Sequence, residues 1–166
     1  MRLCFTLNGQ ALDIEAEADR RAVDLLRELG ALDVKEGCGT GECGACSVLV
    51  DGTHKLSCLM LAAQLQGREV TTAAGLGAPE SPHPVQAAFA AHGAVQCGFC
   101  TPGMAVAAAA LLAQNPDPSR EDARRAISGN LCRCTGYVKI VDAVLHAARA
   151  ARGEEENGDD NGGGAT

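Results

Sequence analysis

The chain has 166 residues, with 21 Asp and Glu against 14 Lys and Arg and a formal net charge of −7. That balance, with no basic stripe interleaved with aromatics, argues against a nucleic-acid surface and suggests solubility. Three Phe, one Tyr and no Trp leave the cores to Ala, Leu and Val, so they are thin and call for another staple.

The N-terminus "MRLCFTLNGQALDIEAEADRR" lacks an apolar core and soon turns acidic, so it does not read as a signal peptide. Residues 2–15 alternate, with Leu3, Phe5 and Leu7 on one face, and Asn8-Gly9 predicts a hairpin turn before Leu12 and Ile14. Asp19 is expected to cap a helix whose apolar stripe is Ala22, Leu25, Leu26 and Leu29, closed by Gly30. "CSVLV" and "THKLSC" flank Asp51-Gly52 as a second hairpin, "LMLAAQLQG" reads as a short helix and "REVTTA" as a further strand. These elements predict an α+β domain over residues 1–75, and the Gly- and Pro-rich "LGAPESPHP" over 76–84 predicts a linker.

Helical patterns follow over 85–91, 102–114, 119–127 and 138–151, predicting a helical domain over 85–152. Thr101-Pro102 reads as a cap followed by proline at the first helical position, and Ser119 with Asp122 reads as a capping box. The run "GMAVAAAALLA" is too short to span a bilayer. Arg20, Arg21, Arg124 and Arg125 read as solvated faces. "GEEENGDDNGGGAT", 153–166, reads as a disordered acidic tail.

Nine cysteines are too many for an ordinary reduced, cytoplasmic chain unless they do chemistry. Cys38, Cys43, Cys46 and Cys58 are spaced C-x4-C-x2-C and then x11-C, and the first three match the plant-type [2Fe-2S] pattern. Four thiolates around two ferric ions and two sulfides carry a formal charge of about −2. Gly37, Gly39, Gly41 and Gly44 are expected to adopt positive φ and wrap backbone N–H groups around that charge. Cys97 and Cys100 in "QCGFC" need two further ligands, which "GNLCRCTGY" supplies as Cys132 and Cys134, each pair ahead of a predicted helix, with Arg133 as a local cation.

Other readings of the cysteines fit less well. The odd cysteine count and the N-terminus disfavour a disulfide framework, and the x4 and single-residue spacings fit zinc poorly. A Rieske centre requires paired histidines, whereas His54, His83, His92 and His146 are scattered. Cys4 reads as a small buried hydrophobe, and Phe99 and Met104 as packing residues.

At these eight cysteines the sequence closely resembles the small iron-sulfur subunit of the molybdenum hydroxylases, the xanthine dehydrogenase and aldehyde oxidase family. "GCGTGECGACSVLVDG", "QCGFCTPGM" and "GNLCRCTGY" look like that family's signatures, over about residues 3 to 150. The resemblance implies a β-grasp ferredoxin-like domain followed by a four-helix bundle, and two [2Fe-2S] clusters. It implies that the Cys97 cluster lies nearest a molybdopterin, with Gln96 hydrogen-bonded to the pterin and Cys134 against its edge, and that the Cys38 cluster lies nearer a flavin. The implied partners are a large molybdopterin subunit, which carries the substrate pocket, and a medium FAD subunit, in a heterotrimer that can itself dimerise. The resemblance implies that electrons pass singly through this chain, which would then need no catalytic residue of its own. Neither nucleic acid nor membrane is an expected partner. The competing expectations are a freestanding two-cluster ferredoxin, with polar surface around both cysteine loops, and a zinc-stapled binding module.

Overall fold

The computed structural model describes residues 1–154. The expected acidic tail falls almost wholly outside them; of its residues, Glu154 ion-pairs with Arg152 at 2.8 Å.

Five strands form one mixed sheet in the order β2-β1-β5-β3-β4: β1 (Arg2–Leu7), β2 (Gln10–Glu15), β3 (Ser47–Val50), β4 (Thr53–Leu56) and β5 (Glu69–Thr71). Both predicted hairpins form, because Asn8 and Gly9 (φ +50° and +80°) and Asp51 and Gly52 (φ +49° and +74°) adopt the left-handed pair that matches strand twist. β5 pairs parallel to β1 and antiparallel to β3, joining the two hairpins.

Helix α1 (Ala22–Glu28) buries Val23, Leu25 and Leu26 in one core with Leu3, Phe5, Leu7, Val48 and Val70. Its C-terminus closes at Gly30 (φ +93°), with Ala31 N–H on Leu26 C=O and Gly30 N–H on Arg27 C=O, a Schellman pattern. Asp19 is not the cap. It lies in a preceding turn, and Arg21 occupies the N-cap position with no side-chain cap. The segment read as one short helix is two single 3₁₀ turns, Ser57–Leu59 and Ala62–Leu65. They are separated where Arg21 and Leu61 form a β-bridge, which takes the intervening backbone for pairing instead of helix.

A short helix, α2 (Ala73–Leu76), ends where the expected linker begins, and an Ala78–Ser81 bridge forms within that linker. Four longer helices follow: α3 (Pro84–Ala91), α4 (Thr101–Gln114), α5 (Arg120–Ile127) and α6 (Val138–Ala151). They share a second core built on Val85, Phe89, Met104, Ile127, Ile140 and Val144. Ser119 and Asp122 form the predicted capping box, whereas Thr101 is already helical and Cys100 holds the N-cap of α4.

α4 is buried from Gly103 through Ala110 without a break. A helix apolar all round needs partners on more than one side, and α4 packs against α3 and α5 and also against β3 and β4. Its alanines allow close approach to the sheet, so this helix joins the two cores. Among the described residues no helix is long and apolar enough to cross a membrane.

Candidate metal centres

The loop between α1 and β3 carries Cys38, Cys43 and Cys46. Gly39, Gly41 and Gly44 have φ of +68°, +84° and +70°, as expected of a loop that folds its amides inward. Gly37 does not have positive φ. It is required for space, because a Cβ there would lie 2.9 Å from Cys43 Sγ. The N–H groups of Thr40, Glu42 and Cys43 donate to Cys38 Sγ at 3.4, 3.3 and 3.4 Å. The Thr40 side chain first, and then these backbone donors, pull the exposed Cys38 thiol down to about 6.

Cys58 arrives from the far side of the second hairpin and is buried beside Cys46. Ser57 binds the two together, its N–H and hydroxyl both donating to Cys46 C=O. Burial, and then Cys46, push the Cys58 thiol up to about 11.

In the second set, Cys97 lies in the loop ahead of α4, and Cys132 and Cys134 lie between α5 and α6. Cys97 Sγ is 3.6 Å from Cys134 Sγ. The Phe99 N–H lowers the Cys97 thiol, and Cys97 in turn raises Cys134. Burial, and then Cys132, push Cys100 up to about 12. Cys132 falls to about 7: burial raises it, but the Thr135 hydroxyl, 3.1 Å away, and nearby N–H groups outweigh burial. Cys100 caps α4 directly, so one helix N-terminus meets this set at once. Cys134 is separated from α6 by a turn through Gly136 (φ +67°) and Tyr137 (φ +70°).

Each set therefore combines lowered and raised thiols. Sulfurs this close cannot all ionise alone, and cations placed among them would let them do so. Cys46 acts with Cys58, Cys97 with Cys134 and Cys100 with Cys132 as neighbouring pairs. Among the described residues no group of three or more His, Cys, Asp or Glu is poised around a single ion. A donor set of thiol pairs with loop amides aimed at sulfur fits a [2Fe-2S] group, which takes two thiolates per iron.

Three residues that support the loops escaped the sequence reading. Arg21, read as a solvated face, contacts Glu36 at 2.7 Å and Asp24 at 2.8 Å and lies against Gly39. The single tyrosine, Tyr137, accepts from Cys132 N–H at 2.8 Å and donates to Asn130 C=O at 3.2 Å. Asn130 is 1% exposed and donates to Gly44 C=O at 2.9 Å. A polar residue two positions before Cys132 was the available signal for Asn130, but nothing local names its partner.

Gln96, Cys97, Arg133 and Cys134 are each exposed. The histidines serve elsewhere: His54 meets Ser47 Oγ, His83 caps α3, and the His92 and His146 rings stack at 3.9 Å. Cys4 is half-buried on the second face of β1, not in the core. Phe99 is half-exposed and packs toward Gly37, while Met104 is core.

Two family matches span most of the chain: a 2Fe-2S iron-sulfur cluster binding domain over residues 5–74 and a [2Fe-2S] binding domain over 72–145. The chain is 51% identical to the nicotinate dehydrogenase small FeS subunit of Eubacterium barkeri, over 86% of this chain and 92% of that one. It is 49% identical to the xanthine dehydrogenase iron-sulfur-binding subunit of Escherichia coli, over 84% and 89%. The solved quinoline 2-oxidoreductase of Pseudomonas putida superposes with a TM-score of 0.86 at 45% identity, over 93% of this chain and 98% of the matched one. The aldehyde oxidoreductase of Desulfovibrio desulfuricans superposes at 0.90 and 45% identity, but there the chain spans only 18% of the longer protein. Matched along nearly their whole length to iron-sulfur subunits of oxidoreductases, these 166 residues belong to the family of small [2Fe-2S] subunits of the molybdenum hydroxylases.

Proposed function

We propose that this chain is the electron-transfer subunit of a molybdenum hydroxylase, with one [2Fe-2S] cluster on Cys38, Cys43, Cys46 and Cys58 and a second on Cys97, Cys100, Cys132 and Cys134. In this reading a ferredoxin-like β-grasp domain over 1–75 holds the first cluster, a linker covers 76–84, and a four-helix bundle over 85–152 holds the second. When bound, the clusters supply one-electron carriers between a molybdopterin site on a large partner subunit and FAD, or another acceptor, on a medium one.

What supports this reading is how the cysteines of each set approach one another: Cys58 lies beside Cys46 and is pushed up by burial and then by Cys46, Cys100 by burial and then by Cys132, and Cys97 Sγ lies 3.6 Å from Cys134 Sγ. The chain's own work is to hold sulfur and tune its surroundings. Loop amides stabilise the Cys38 thiolate, Thr135 stabilises that of Cys132, and Tyr137 holds the Cys132 backbone. Cys38 is exposed on one set and Cys97 and Cys134 on the other, so each cluster has an edge open to a partner. Gln96 beside Cys97 is exposed and available to a pterin at that edge.

A freestanding ferredoxin would present polar surface around its cluster loops. Here Leu59, next to Cys58, is 63% exposed and Leu131, next to Cys132, is 58% exposed, with Val95 and Phe99 exposed beside Cys97. Apolar groups at both loops favour a subunit that is covered by partners, in a cytoplasmic heterotrimer that can dimerise.

Anaerobic purification from the native host tests the proposal. About four irons and four acid-labile sulfides per chain, two distinct [2Fe-2S] spectra on reduction, and co-purifying molybdenum and flavin subunits are expected. A colourless protein that binds two zinc ions, or an iron protein running alone, would overturn it.

A further inference from the structure

Where the two cysteine loops meet, backbone packs on backbone. A Cβ on Gly44 would lie 2.3 Å from Gly129 C=O, and one on Gly103, in the first turn of α4, would lie 2.4 Å from Gly44 C=O. Into this seam the chain places two buried polar side chains, Ser47, whose hydroxyl donates to Gly44 C=O at 2.7 Å, and Asn130. Both amide hydrogens are used, on Gly44 C=O at 2.9 Å and on Ser47 Oγ at 3.3 Å. Its Oδ1 is buried with no hydrogen-bond partner among the described residues. Turning the amide over would bring that oxygen against the Gly44 carbonyl, acceptor to acceptor, so the observed orientation is the favoured one.

A buried acceptor without a donor is costly, and a residue present only to fill space would avoid it. The compensation lies in what Asn130 connects. Its backbone carbonyl accepts from Tyr137 OH, which also accepts from Cys132 N–H. Its side chain grips Gly44, between Cys43 and Cys46, and Ser47, next to Cys46. The neighbouring Leu131 N–H donates to Cys43 C=O at 2.9 Å, a second tie in the same direction.

We infer that Asn130 is the positioning residue that fixes the separation of the two cysteine quartets, an inference that rests on the two-cluster reading above. The side chain touches no cysteine sulfur. It acts by clamping the Cys132 loop to the Cys43–Cys46 loop, so that the gap a single electron must cross is constant.

The test uses the intact complex carrying Asn130→Ala or, as a milder change, Asn130→Ser, whose shorter side chain cannot reach both acceptors. The readout is low-temperature electron paramagnetic resonance of the fully reduced protein, where two paramagnetic clusters split each other's signals by a dipolar term that falls as the inverse cube of their separation. Both variants are expected to keep wild-type iron content and both cluster signals while the resolved splitting is lost or reduced. Wild-type splitting in a fully loaded variant overturns the inference. So does failure of both variants to fold, or folding without iron, because the amide would then serve the core or the loops themselves. A wild-type complex that lacks two cluster signals instead defeats the underlying two-cluster reading.

Discussion

The Arg21 guanidinium lies 2.7 Å from the Glu36 carboxylate, tying the residue before α1 to the loop that enters the first cysteine set. The same group binds Asp24 and packs on Gly39, and its backbone bridges to Leu61 just beyond Cys58. One residue thus braces both segments that carry this set, its side chain the Glu36–Gly39 loop and its backbone the segment after Cys58. Arg21→Gln should speed iron release to a chelator from the first cluster while leaving the second unchanged. The check is to follow the two cluster spectra separately during chelation; equal release from both would refute the role.

Gly37 and Gly41 lie in one loop for different reasons, and alanine at each should separate them. Gly37→Ala places Cβ 2.9 Å from Cys43 Sγ, so iron should fall to roughly half, the content of one two-iron cluster. At Gly41 φ is +84° and the nearest atom is the end of the Leu59 side chain. Gly41→Ala should therefore cost about 1–2 kcal/mol of backbone strain, with Leu59 swinging aside and iron retained. Iron analysis with thermal unfolding distinguishes the two outcomes.

Removing one ligand should remove one cluster. Cys132→Ser is expected to abolish the second cluster's spectrum and retain the first, with iron again near half of about four atoms per chain. Cys58→Ser should give the converse. Loss of both spectra from either variant would contradict two independent quartets.

In iron-free protein the thiols should alkylate in a set order, since the thiolate is the nucleophile. Near neutral pH, Cys38, with its thiol at about 6 and exposed, should react first with iodoacetamide. Cys58, at about 11 and buried, and Cys100, at about 12, should react last. Mass spectrometry of timed samples reads the order, and fast labelling of Cys100 would contradict a thiol raised by burial and by Cys132.

The capping box on α5 gives a pH signature. Hydrogen bonds from the Ser119 hydroxyl and N–H hold the Asp122 carboxyl below its ordinary value. A depressed folded-state value means that this stabilisation is present above the unfolded carboxyl's ordinary pKa and is lost as pH falls through the lower folded one. Ser119→Ala should cost about 1 kcal/mol at neutral pH, and the gap from wild type should narrow in acid. A gap constant down to low pH would show that Asp122 is not coupled to the cap.

Much of this protein is local and was therefore legible in the sequence. Asn8-Gly9 and Asp51-Gly52 take the left-handed φ pair their types permit, Gly30 closes α1, and the Ser119 box opens α5, because turns and caps are decided by residues within a few positions of each other. The cysteine spacings likewise suggested the two sets of four proposed as cluster ligands, since a cluster restricts how far apart its nearest ligands can be. Local preference was overruled at Asp19, where Arg21 pairs with Leu61, and at the 57–65 segment, where the same bridge interrupts a helix. Cys4 followed its strand's alternation away from the core.

Long-range partners were decided by the tertiary structure alone. The all-apolar run of α4 announced burial but not that β3 would be its second partner. Arg21 read as a surface charge until Glu36 was brought to it, and Asn130 finds Gly44 across 86 residues of chain. A hydrogen bond or a packed glycine depends on the neighbour that folding delivers, and no pattern along one segment encodes that neighbour. The amino-acid order brought out the sulfur atoms proposed to hold iron, while only the packed structure, with α4 shared between two cores and Asn130 bonded to Gly44, decided which segments lie against one another.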